Sequence, residues 1–171
     1  MVPISRPSII RVDMDAVLTR LANDSIGPGE VAREFASALA KYVGRRGGVA
    51  FRSYGAAVRA VLDSLGLPEG GKVGCSVFLP RSVPHIIQAA GYEVVLLDVA
   101  AGMPVLPPPL EVDYTAFGLD AIIADTTLGF VPDLENLTNL RIPVVEEISQ
   151  GLGANTGEHM VGSYGDATII D

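Results

Sequence analysis

Apolar positions recur along the chain at two periods. Met14, Val17, Leu18 and Leu21 follow an i, i+3, i+4, i+7 spacing, which predicts a short helix from near Asp13. A second helix is predicted after Pro28, with Val31, Phe35, Ala38, Leu39 and Tyr42 on one face and Gly44 at its end. Residues 49–51 read as a short buried strand. Ser53 then reads as the N-cap of a third helix, with Val58, Val61, Leu62 and Leu65 as its buried stripe and Gly66 as its stop. Near-continuous apolar runs predict further strands at 73–79, 93–98, 119–125, 142–146 and 166–170, with helices near 83–90 and 132–138. Such alternation predicts an α/β fold, a mostly parallel sheet of about six strands with helices on both faces. It is expected to form one domain over residues 1–171, with N-terminal helices at 13–43 followed by the sheet at 48–171. The proline-rich stretch 103–109 reads as an extended loop inside that domain. In open sheets of this kind ligands sit beyond the carboxyl ends of the strands, so candidate chemistry is sought there.

Composition narrows the class. Of the 171 residues 49% are hydrophobic and mean hydropathy is +0.38, which excludes a disordered chain. No apolar run approaches the ~20 residues needed to span a bilayer, and the opening MVPISRPSII lacks a signal-peptide core. A net charge of −8 and a pI near 4.7 argue against nucleic acid as a partner. The single cysteine, Cys75, cannot form an internal disulfide, so a reduced, cytoplasmic protein is expected. His85 and His159 stand far apart and no metal-ligand cluster is apparent.

Two glycine-rich stretches resemble phosphate loops without meeting their requirements. Gly66-Leu-Pro-Glu-Gly-Gly71-Lys72 lies between a helix and a strand, the reverse of a P-loop, and Val73 replaces the hydroxyl that would bind magnesium. Gly151-Leu-Gly153-Ala-Asn-Thr-Gly157 follows a strand, but its spacing is not that of a dinucleotide loop and no amphipathic helix follows. The remaining anion site is Ser53 with the first amides of its helix. Taken alone, Ser53 is more simply a helix cap.

The order of motifs is more specific than any one of them. Asp13 to Leu21, then Ser25-Ile-Gly-Pro-Gly-Glu-Val-Ala-Arg-Glu-Phe35 and Ala40-Lys-Tyr-Val-Gly44, resembles the opening of the DegT/DnrJ/StrS family of aminotransferases. Ser53-Tyr-Gly-Ala-Ala57 stands where that family has Ser-Gly-Thr-x-Ala. Leu65 to Val73, Gly91 to Asp98, Val144-Val-Glu-Glu147-Ile-Ser-Gln150-Gly-Leu-Gly-Ala154 and Val161-Gly-Ser-Tyr-Gly-Asp166 resemble later motifs in the same order. The resemblance implies the large domain of a fold-type I enzyme with pyridoxal phosphate as cofactor. It places Ser53, Tyr54 and Gly55 at the phosphate, Glu147 against the pyridine nitrogen, and Gln150 at the phenolic oxygen. It also places a stacking group on the loop 80–85, where His85 is the nearest ring. For His85 a partly exposed histidine at a helix start is the plainer reading. For Gln150 an amide that orders its loop is an equal alternative.

Several positions depart from the family pattern. Tyr54-Gly55 replaces Gly-Thr and loses a hydroxyl. Glu147 replaces Asp, displacing the charge by roughly an ångström. The 80–91 segment is shorter by about one helical turn. Thr127-Leu-Gly129 replaces a segment with His before its Gly, and Asp171 replaces a phosphate-contacting Ser. The family's Schiff-base lysine follows the last strand, whereas Lys41 and Lys72 match no catalytic position, so no catalytic residue is assigned. The resemblance therefore implies amino transfer from an amino-acid donor to a keto-sugar nucleotide for a longer protein, with these 171 residues inactive alone, and a homodimer as the assembly. The alternative is a non-catalytic scaffold or ligand-binding protein on the same fold.

Overall fold

The computed structural model describes residues 8–23, 27, 29–157 and 159–171. Five helices and seven strands occur among them: α1 Arg11–Ala22, α2 Glu30–Tyr42, α3 Tyr54–Ser64, β1 Lys72–Ser76, α4 Ser82–Ala89, β2 Glu93–Leu97, β3 Ala121–Asp125, α5 Leu134–Thr138, β4 Val144–Glu147, β5 Asn155–Thr156, β6 His159–Met160 and β7 Ala167–Ile169. Five strands form one sheet in the order β2-β1-β3-β4-β7, every pairing parallel. β5 and β6 make a separate antiparallel hairpin.

Side chains alternate across a strand, so each sheet strand feeds both faces. Val73, Cys75, Ala121, Ile123, Val145 and Ile169 point to one face, where Val58 and Leu62 of α3 and Val83 and Ile87 of α4 cover them. Ile122, Ala124 and Val144 point to the other, beneath Leu134 and Leu137 of α5 and the segment carrying Leu106 and Tyr114. Each fully buried Leu or Ile contributes roughly 1.5–3 kcal/mol by leaving water, and both layers are continuous along the sheet. Tyr114 is buried with them, its hydroxyl donating to the Pro107 carbonyl at 2.7 Å, and burial pushes its pKa up to about 12.

The end of the sheet where the strands begin is closed by carboxylates. Asp120 accepts from the Lys72 amide at 2.8 Å and Asp166 from the Val144 amide at 2.9 Å. On β4, Glu146 accepts from the Arg45 guanidinium at 3.0 Å and from the Gly162 and Gly165 amides at 2.6 and 2.7 Å. Arg45 also donates to Thr168 at 2.9 Å, so the chain just after α2 is tied to β4 and β7.

Three sequence expectations are corrected. α2 buries Ala36 and Ala40, with Val43 just beyond it, whereas Val31, Phe35, Ala38 and Tyr42 are exposed and Leu39 is half-buried. The cause is close backbone approach: a Cβ at Gly48 would lie 2.9 Å from the Ala36 carbonyl oxygen and 3.3 Å from the Ala40 side chain, so only small residues fit that contact. Residues 49–51 form no strand, and Val49 and Phe51 are exposed, which leaves five strands in the sheet rather than six. The glycine-rich loop after β4 carries the hairpin β5–β6, which apolar periodicity does not signal. Helix α1 forms as expected, with Met14, Val17, Leu18 and Leu21 all exposed. Of the motif between the first two helices, Ser25, Ile26 and Pro28 lie outside the described residues.

Candidate functional site

Parallel strands in register bring their last residues side by side. Asp125 at the end of β3 pairs in register with Glu147 at the end of β4, and Glu147 with Ile169 of β7. Alternation sends Cys75, Asp125 and Glu147 to the face covered by α3 and α4. The result is a bed at the strand ends, roofed by the start of α3.

Its floor is acidic and buried. Asp125 has no exposed surface and Glu147 is 7% exposed. One Asp125 oxygen accepts from the Thr127 hydroxyl, while the other, Oδ1, is buried with no hydrogen-bond partner among the described residues. Glu147 accepts from the Ser149 hydroxyl, and Ser149 in turn accepts from the Asp171 amide at 2.9 Å. Burial raises both carboxyl pKa values above the ordinary carboxylate range, and the hydroxyl donors only partly oppose it. The mutual repulsion of Asp125, Glu147 and Asp171 adds to the upward shift at Glu147. Burial, with Asp125 nearby, also pushes the Cys75 thiol up to about 11.

The roof is Tyr54. It is the first residue of α3, whose N-cap is Ser53, with the Ser53 hydroxyl accepting from the Ala56 amide at 3.3 Å. The Tyr54 ring packs against the core cluster that includes Cys75, Ile123, Val145 and Ile169, and its hydroxyl is buried without a partner among the described residues. Burial, then the charges of Glu147, Asp171 and Asp125, raise its pKa far above that of a free phenol. The phenol therefore lies among the ends of four neighbouring strands. Beside it runs a groove of about 810 Å³ bounded by α2, the segment 47–53, α3 and residues 166–171.

The remaining candidates fall elsewhere. Gln150 is exposed, and its Oε1 accepts from the Leu128 amide at 2.6 Å, ordering the loop after β3. Gly151 lets that loop close, since a Cβ there would stand 2.6 Å from the Thr126 side chain. His85 is exposed on α4 and makes no hydrogen bond among the described residues. Gly55 packs α3 onto α4, where an added Cβ would meet Ile86 at 3.2 Å. Asp125 and Ser149 join the site without having been singled out in the sequence, and Thr127 had been noted only as a departure from the family pattern. Their signal was a carboxylate closing an otherwise apolar strand, directly followed by hydroxyl residues. No cluster of metal-ligating side chains occurs among the described residues, and no helix among them is long and apolar enough to cross a membrane.

A mostly parallel sheet with a strand-end bed under a helix N-terminus defines the fold-type I class of pyridoxal-phosphate proteins. The sequence model of the DegT/DnrJ/EryC1/StrS aminotransferase family matches residues 7–170, and the chain belongs to that family. It is similar to the UDP-4-amino-4-deoxy-L-arabinose–oxoglutarate aminotransferase of Shewanella sediminis, at 27% identity over 95% of this chain and 43% of that enzyme. Solved structures share its fold. Helicobacter pylori PseC, an aminotransferase of pseudoaminic acid biosynthesis, superposes with a TM-score of 0.86 at 17% identity, over 97% of this chain and 46% of that one. An E. coli GDP-4-keto-6-deoxy-D-mannose-3-dehydratase with bound hydrated pyridoxal phosphate gives 0.85 at 16%, over 95% and 44%. The chain thus spans less than half the length of these relatives.

Do the residues present fit that cofactor? Glu147 offers a buried carboxylate suited to a pyridinium nitrogen. The Tyr54 ring packs against the same face of the sheet, near enough to Glu147, Asp125 and Asp171 for its hydroxyl to feel their charges, and Asp171 adds negative charge at the rim where a phosphate would need donors. As they stand, the bed's side chains do not fit the group.

Proposed function

We propose that these 171 residues form a non-catalytic aminotransferase-fold module, one that keeps the sheet and strand-end bed of the sugar aminotransferases without supplying an amine to that bed. One observation carries the reading. The chain's two lysines are both remote from the strand ends: Lys72 opens β1 at the opposite end of the sheet, 3.8 Å from Glu93, and Lys41 is exposed on α2. A nucleophilic lysine needs a desolvated, oriented amine beside the reacting carbonyl, and neither position provides one. What the bed's own residues supply is two carboxyl groups that burial shifts toward the protonated form. Asp125 and Glu147 resist ionisation, and Ser149 and Thr127 orient them.

A second reading, amino transfer to a keto-sugar nucleotide by a longer protein, draws support from the buried carboxylate of Glu147 at the end of β4. Homodimer formation belongs with either reading and suits the exposed apolar side chains of α1; sedimentation velocity measures it directly. Incubation with pyridoxal phosphate followed by borohydride separates the two readings. The non-catalytic reading expects no covalent adduct at a unique lysine. A single stoichiometric adduct would establish the amine this chain is proposed to lack.

A further inference from the structure

We propose that Tyr54 is the resident occupant of the strand-end bed, and that its ring, standing where the family has glycine, is what keeps pyridoxal phosphate out. The geometry makes the case in three steps. First, Tyr54 is anchored. Ser53 caps α3 at 3.3 Å, and the Ser53 carbonyl accepts from the Ala56 and Ala57 amides at 3.1 and 3.2 Å, so the backbone at the roof is held as a regular helix start. Gly55 lies close against Ile86 of α4, where an added Cβ would stand 3.2 Å from its side chain, so the helix start is packed next to its neighbour. Second, the ring packs against the apolar cluster on that face of the sheet, to which Cys75, Ile123, Val145 and Ile169 belong. Third, among the described residues the Tyr54 hydroxyl is buried without a hydrogen-bond partner, and so is Asp125 Oδ1. A buried polar atom left unpaired is costly, and this bed holds two. A tyrosine selected only for packing would be cheaper as phenylalanine.

The inference rests on the non-catalytic reading above and adds a steric reason for the bed to refuse the cofactor. The test titrates pyridoxal phosphate into the full chain and follows the cofactor's absorbance, for the natural protein, Tyr54→Phe and Tyr54→Gly. Each sample is then treated with borohydride. The expected result is no saturable shift for the natural protein or Tyr54→Phe, and a saturable shift for Tyr54→Gly, tighter by at least about tenfold and leaving no covalent adduct. Reversible binding by the natural protein as tight as that of Tyr54→Gly would overturn the role of Tyr54 and leave the non-catalytic reading standing. An adduct in the natural protein would overturn both. No shift from a Tyr54→Gly chain that retains its circular dichroism spectrum would show that the ring is not the obstacle. Should that variant not fold, nitration by tetranitromethane decides on the natural protein. Tyr54 is expected to react at least tenfold more slowly than the exposed Tyr42, with and without pyridoxal phosphate. Equal rates, or a rise at Tyr54 on adding the cofactor, would overturn the proposal.

Discussion

Glu146 and Glu147 are neighbours on β4, both buried, and they lead opposite lives. Glu146 faces the α5 side of the sheet and accepts from the Arg45 guanidinium and the Gly162 and Gly165 amides. Glu147 faces the α3 side, accepts from one hydroxyl, and shares its surroundings with Asp125, Asp171 and an unpartnered phenol. One carboxylate is saturated with donors and joins three segments of chain. The other is short of donors and its pKa is raised. The first carboxylate is compensated by its donors, whereas at the second burial and the neighbouring acids shift the equilibrium toward the protonated form. A buried carboxylate met by amides and a guanidinium belongs to the fold, whereas one left among other acids belongs to a site.

The sharpest way to break that contrast is Glu146→Ala. It leaves Arg45 without its charge partner and two amides without acceptors. The expected loss is about 3–5 kcal/mol of unfolding free energy, read from urea denaturation. A loss below about 1 kcal/mol would mean that Glu146 is no more structural than its neighbour.

Glu147→Gln should act in the opposite direction, with a gain of about 1–2 kcal/mol at neutral pH, because it removes a poorly compensated buried charge while keeping an oxygen for Ser149. The pH dependence follows from the sign of the shifts. Glu147 and Asp125 have folded pKa values above their ordinary 4.5 and 3.8. The folded chain therefore holds protons that the unfolded chain has already released. Their contribution to stability is fully present below the ordinary values and is lost as pH rises through the folded ones. Denaturation at a series of pH values should show stability declining upward from about pH 4.5, and Glu147→Gln should flatten the curve. An unchanged slope would assign the proton to another group.

The strands and most helices were legible because long apolar runs, glycine stops and a serine cap agree with one another. Gly66 does end α3 with a positive φ of 64°, and Ser53 does cap it. The buried face of α2 was not legible. The large residues Val31, Phe35 and Tyr42 outrank Ala36 and Ala40 in any hydrophobic count, and only the approach of Gly48 from a later segment makes small residues the right ones. Residues 49–51 have strand composition, but no described strand lies beside them, and a ladder needs a partner. At the site, the resemblance pointed to Glu147 by motif. The division of labour with Glu146 came from alternation, which places consecutive residues on opposite faces without saying what covers each face. Tyr54 was legible as a departure from Ser-Gly-Thr. That its ring turns inward over four strand ends was not, because the first position of a helix can point toward solvent or core.

The smallest effects test the loop beside the bed. Leu128 sits at φ 56°, a left-handed conformation that costs an L-residue roughly 1–2 kcal/mol, and its amide donates to the Gln150 side chain at 2.6 Å. Thr126 ties the base of this turn to the Glu147 carbonyl, and Leu128 at its tip is held by one side-chain bond among the described residues, that to the exposed Gln150 amide. Gln150→Ala should therefore cost only about 0.5–1 kcal/mol globally, yet strongly accelerate hydrogen exchange at the Leu128 amide. Leu128→Gly should relieve the strain and give back part of that gain as added entropy of the unfolded chain, for a net change of a few tenths of a kcal/mol. Combining the two separates the bond from the strain. If Gln150 holds Leu128 in place, the cost of Gln150→Ala should shrink in the Leu128→Gly background, because glycine adopts the turn unaided. Equal costs in both backgrounds would mean that Gln150 stabilises the loop through some contact other than the Leu128 amide, and the residue would again be open to a role facing the bed.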